Sequence, residues 1–67
     1  MYKKIENLLN NKNIYKDIVE VEEAILKIDN KAEVIDDHLR IYVISGDEIV
    51  KLSVYHDLEN NEMDLFL

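Results

Sequence analysis

The sequence predicts a single α+β domain in which two N-terminal helices precede a three- or four-stranded antiparallel β-meander, with the longer helix covering one face of the sheet. Three observations predict it. Apolar residues recur at helical steps through the first 28 positions, from Ala32 onward the period falls to two, and Gly46-Asp47 marks a tight bend from which strand register can be counted.

The first helix, about 2–10, is predicted by Tyr2, Ile5, Leu8 and Leu9 lying on one face. It stops in Asn10-Asn11-Lys12-Asn13, whose side chains compete with the helix for backbone hydrogen bonds. Asn13 is an N-cap candidate for a second helix, about 14–28, because Ile14, Ile18, Val21, Ile25 and Ile28 form a continuous stripe that Tyr15, Val19 and Leu26 widen. The β-branched content of Ile18–Ile25 keeps a strand reading open. Asp29-Asn30-Lys31 closes the segment.

In the β half, pairing Ser45 with Glu48 places Leu39, Ile41 and Val43 opposite Val54, Leu52 and Val50 on one face, all of them apolar. The other face then carries His38/Tyr55, Arg40/Ser53, Tyr42/Lys51 and Ile44/Ile49. Asn60-Asn61 tolerates positive φ, so a second tight hairpin is expected there. It pairs Leu58 with Met63, His56 with Leu65 and Val54 with Leu67 on the core side, and Glu59/Glu62, Asp57/Asp64 and Tyr55/Phe66 outside. A looser bend at Asp36-Asp37 pairs Val34 with Leu39 and Ala32 with Ile41 inside, and Glu33 with Arg40 outside.

A chain of 67 residues forms a thin core, burying about 60% of the surface its unfolded form exposes. Cysteine is absent, which removes disulfides, thiolate nucleophiles and cysteine zinc sites and fits a reducing, cytoplasmic setting. No apolar run approaches the roughly 18 residues of a membrane span, and Met1–Leu9 does not read as a secretory signal. Charge is polarised: residues 1–16 carry a net +3 and the remainder −10, for −7 in all. Such a field repels nucleic acid and attracts basic protein surfaces.

The carboxylates Asp57, Glu59, Glu62 and Asp64 crowd the last hairpin. Like charges directly opposed in a sheet cost up to about 1 kcal/mol per pair, which a small domain can ill spare. One reading is that they splay into water and keep the edge soluble. The other is that a basic partner offsets their repulsion, with Asp36, Asp37, Asp47 and Glu48 at the remaining hairpin tips adding charge and Tyr55 and Phe66 serving as apolar anchors. Neighbouring cross-strand positions lie about 5–7 Å apart, of the same order as charges along a nucleic-acid backbone.

Tyr42–Leu52 (YVISGDEIVKL) resembles the central hairpin of small acidic phage inhibitors of Cas9, the anti-CRISPR proteins. Glu20–Lys31 (EVEEAILKIDNK) and His56–Leu67 (HDLENNEMDLFL) are similar to parts of the phage inhibitors of uracil-DNA glycosylase. Together these stretches touch about half the chain. The resemblance implies a small, acidic, stoichiometric protein that mimics nucleic acid, and it implies no particular target. The groove-inserting Gln-Glu-Ser-Ile segment of the glycosylase inhibitors has no counterpart in this chain.

Catalysis is not expected. Only Ser45 and Ser53 offer hydroxyl nucleophiles, and Ser45 sits where a turn favours serine. Parity points His38 outward and His56 inward, so they are not expected to pair. The acidic hairpin lacks the central glycine and the length of a calcium loop, and neither a metal nor a cofactor is expected. Three functions therefore compete: an inhibitor that occupies a basic, nucleic-acid-binding protein, a homodimer through the open sheet face, and an immunity protein against a cationic nuclease. None requires direct nucleic-acid or membrane binding.

Overall fold

The computed structural model describes residues 1–67. Helix α1 (Tyr2–Asn11) leads through a short strand β1 (Ile14–Tyr15) into helix α2 (Ile18–Ile28), and four further strands follow: β2 (Glu33–Asp37), β3 (Arg40–Ser45), β4 (Glu48–Asp57) and β5 (Glu62–Phe66). All strand pairs are antiparallel, in the order β1-β5-β4-β3-β2. The α+β class with an antiparallel sheet is thus as the residue pattern predicts. The sheet has five strands rather than three or four, and two helices of nearly equal length share the covering of one face.

The fifth strand arises where a helix start is predicted. Asn13 does not cap α2: its carbonyl accepts from Leu65 N–H at 2.8 Å, and its side-chain amide donates to Asp64 at 2.7 Å. Those two bonds lay Ile14 and Tyr15 along β5, opposite Asp64 and Met63. Tyr15 is buried, and its hydroxyl donates to the Lys12 carbonyl at 3.0 Å. The helix begins one turn later because Asp17, in extended conformation, accepts from Glu20 N–H at 3.0 Å.

The β3–β4 register matches expectation from Arg40↔Ser53 to Ser45↔Glu48. Gly46 alone has positive φ (58°) in that turn, the requirement of a type II′ bend at its first central position. The β4–β5 register is displaced by two residues, giving Val54↔Leu65, His56↔Met63 and Asp57↔Glu62. The loop is four residues, Leu58–Asn61, because the Asp57 carboxylate accepts from Glu59 N–H, Asn60 N–H and the Asn60 side chain, while Asn61 takes the left-handed conformation (φ 56°). Leu58 therefore leaves the core for solvent, and Leu67 lies beyond the ladder, half exposed.

The β2–β3 bend falls at His38-Leu39 rather than Asp36-Asp37, a displacement of four. Asp36 accepts from His38 N–H at 3.1 Å and His38 adopts φ 53°, so the aspartates brace the turn from outside instead of forming it. Val34 consequently faces Val43, Asp37 faces Arg40, and Glu33 faces Ile44. Leu39, expected in the core, is exposed at the tip.

Both displacements are even, so the division between faces survives them. Ile41, Val43, Val50, Leu52, Val54, Met63 and Leu65 all point to the covered side, where Ile5 from α1 and Val21 and Ile25 from α2 close the core with Tyr15. The helix ends are pinned at one margin of that side. Glu48 accepts from the Met1 ammonium at 3.0 Å and Tyr2 N–H at 2.6 Å, at the start of α1, and the Ser45 hydroxyl donates to Asp29 just past the end of α2.

Candidate partner-binding face

The helices cover one side of the sheet only. On the other, register places Glu33, Ile44 and Ile49 in one cross-strand row, Ile35, Tyr42 and Lys51 in the next, then Asp37, Arg40, Ser53 and Phe66. Tyr55, Asp64 and Ile14 follow, and Asp57 with Glu62 ends the sheet. Ile49 is 65% exposed, Tyr55 61%, Phe66 50% and Ile35 47%, an apolar content well above that of a purely solvated sheet face. Five acids, Glu33, Asp37, Asp57, Glu62 and Asp64, border this surface against two bases, Arg40 and Lys51.

The predicted binding residues divide by position. Tyr55, Phe66, Asp57, Glu62 and Asp64 share the far end of the open face, and Asp37 lies at its β2 margin. The expected pairing among them is altered. Only Asp57 and Glu62 are opposed acids; Asp64 stands between Tyr55 and Ile14, and Phe66 faces Ser53. Glu59 lies in the Leu58–Asn61 loop and Asp47 in the β3–β4 turn, both exposed. Glu48 and Asp36 have the parity of the covered side, where Glu48 holds the start of α1 and Asp36 the His38 turn.

Several of these carboxylates already serve the fold. Hydrogen bonds from the Asn60 side chain, Asn60 N–H and Glu59 N–H hold the Asp57 carboxyl below the usual carboxylate range. Tyr2 N–H and the N-terminal ammonium do the same for Glu48. Asp64 accepts from Asn13. Glu59, Glu62, Asp37 and Asp47 accept no side-chain hydrogen bond, and the three ion pairs of the molecule, Met1–Glu48, Lys3–Glu6 and Lys12–Glu20, leave them unneutralised. They are the charge a partner could meet without dismantling a turn.

Sequence parity missed one contact. His38 and His56 stack with ring centroids 4.6 Å apart and planes 17° from parallel, and His56 Nε2 donates to the His38 carbonyl at 2.7 Å. They were expected to point apart. Parity does not govern His38, because it sits in a turn with positive φ that folds its ring over the end of β4. No three His, Asp or Glu side chains converge as metal ligands.

On the opposite side of the molecule, a shallow groove between α1 and α2 is floored by Leu8, Tyr15, Ala24 and Ile28. Lys12 crosses its end to Glu20 at 2.7 Å, and that bond raises the lysine pKa and lowers the glutamate's. No helix is long and apolar enough to cross a membrane. No known protein family, curated protein or solved structure matches the chain.

Proposed function

We propose that the chain is a small acidic binding protein whose open sheet face occupies a basic, nucleic-acid-binding surface of a partner protein. The observation that carries this reading is the placement, on one uncovered face, of exposed Tyr55 and Phe66 beside Asp57, Glu62 and Asp64. Aromatic anchors supply desolvated contact area and the acids supply complementarity and steering. Successive same-face positions on a strand are about 7 Å apart, so Glu62 and Asp64 on β5, with Asp57 alongside on β4, present charge at a spacing comparable to phosphates. The anti-CRISPR and glycosylase-inhibitor resemblances favour the same class, and an immunity protein against a cationic nuclease would use the same chemistry.

The test is capture of partners from lysate by the immobilised chain, followed by elution with duplex DNA. A nucleic-acid-binding protein that duplex DNA releases, and that Tyr55→Ser/Phe66→Ser and Glu59→Lys/Glu62→Lys chains fail to retain, is the expected result. Retention by both variants, or captured protein indifferent to DNA, overturns the reading. Glu59 and Glu62 are the acids to reverse because neither side-chain carboxylate accepts a hydrogen bond in the fold.

The exposed Ile35, Ile49, Tyr55 and Phe66 also favour a second reading, a homodimer stacked face to face with the acids as a solubilising rim. Sedimentation at micromolar concentration separates the two, since a strictly monomeric species removes the dimer.

A further inference from the structure

The two margins of the sheet differ. β1, only two residues long, is an edge too short to template another strand, whereas β2 presents five residues with no element beside them. In an antiparallel ladder alternate residues turn their N–H and C=O away from the partner strand, so β2 offers unpaired backbone groups along its free side. Three common blunting devices are missing from that edge: it holds no proline and no lysine, and its register with β3 runs without a bulge from Glu33↔Ile44 to Asp37↔Arg40.

The edge does carry charge. Glu33, Asp36 and Asp37 are exposed, none forms an ion pair, and they flank Val34 and Ile35. This disfavours one occupant and favours another. In the antiparallel register that pairs all five residues with a second copy, Ile35 meets Ile35 and Glu33 meets Asp37 twice over, so like charges oppose each other on one face. A strand with basic residues at those positions meets opposite charges instead.

We propose that β2 is a docking edge for an extended basic peptide, which adds to the sheet as a sixth, antiparallel strand. Opposite Asp37, Asp36, Ile35, Val34 and Glu33 in turn, its pattern is basic, basic, apolar, apolar, basic. Backbone hydrogen bonds supply the attachment and the alternating side chains the choice of sequence. The first, third and fifth peptide residues share the open face with Asp37, Ile35 and Glu33, and the second and fourth lie on the side of Asp36 and Val34. This edge is distinct from the Tyr55–Phe66 end of the open face, and its failure would leave that site untouched.

The probe is the fluorescent peptide Gly-Arg-Lys-Ile-Val-Lys-Gly, titrated into the full chain, with two versions N-methylated on one or the other alternate set of amides. Charge and side chains are the same in all three. Expected are saturable binding, at least tenfold weakening by one N-methyl set and not the other, shifts of the β2 amide resonances, and at least tenfold weakening by Glu33→Lys/Asp37→Lys. Equal binding of the two N-methylated peptides, shifts confined to Tyr55 and Phe66, or no saturable binding overturns the proposal. So does a concentration-dependent dimer that Glu33→Lys/Asp37→Lys disrupts, because the edge would then belong to a second copy.

Discussion

At the scale of single residues, the acids of this chain are as much turn braces as surface charge. Asp57 accepts three hydrogen bonds from the loop that follows it, Asp36 holds the His38 turn, and Glu48 holds the first residues of α1. The folded-state pKa values of Asp57, Glu48 and Asp29 all lie below the ordinary carboxylate range, led respectively by bonds from Asn60, Tyr2 and Ser45. A depressed folded pKa contributes stability that is present above the unfolded value, about 4, and is lost as pH falls through the folded one. Thermal melts should therefore show a Tm that declines on acidification below about pH 4. Asp57→Ala should lower Tm at pH 7, and its gap from the parent chain should narrow at pH 2.5. A constant gap across that range would remove the carboxylate's charge from the account. These bracing roles were illegible because an aspartate near a turn can form the bend or cap it. The choice between the two displaced Asp36-Asp37 from the turn and lengthened the loop after Asp57.

At the scale of elements, the start of α2 shows how local preference yields to tertiary pairing. The apolar stripe from Ile14 to Ile28 satisfies helical spacing throughout, yet its first members are taken by β5 through the Asn13 bonds to Leu65 and Asp64. A two-residue strand has no periodicity to read, and its partner lies some fifty residues away. Asp17→Ala should cost about 1 kcal/mol in urea denaturation, the usual worth of an N-cap, whereas Asn13→Ala should leave helix content by circular dichroism nearly unchanged. The reverse ranking would restore Asn13 as the cap. The central hairpin, by contrast, is readable from Arg40↔Ser53 to Ser45↔Glu48, because Gly46 admits a positive φ at little cost and alternation on both sides agrees with one register; only its outer residues His38 and Leu39 depart, into the β2–β3 turn.

At the scale of the whole molecule, stability rests on eleven buried residues in a chain of 67. Domains of this size have only about 3–10 kcal/mol to lose. Ile25→Ala, at a fully buried position where α2 meets the sheet, should cost about 2–5 kcal/mol, enough to abolish the cooperative thermal transition or bring its midpoint near room temperature. A net charge of −7 adds self-repulsion, so raising sodium chloride from 10 to 300 mM (a Debye length falling from about 30 to about 6 Å) should raise Tm while weakening capture of a basic partner. Opposite signs for the two effects distinguish a repulsive surface field from loss of fold-stabilising ion pairs, which would lower both.

Alternation and helical spacing by themselves determined the class of fold, the β3–β4 register and which side of β2, β3, β4 and β5 is buried. These are properties of a pleated backbone with a period of two, and an even displacement of register cannot change them. The tertiary structure decided the loop lengths, the fifth strand, the sharing of the cover between two helices, the His38–His56 stack and the dispersal of the acid pairs. Each of these depends on contacts between groups distant in sequence or outside the regular period, where no periodic signal reaches.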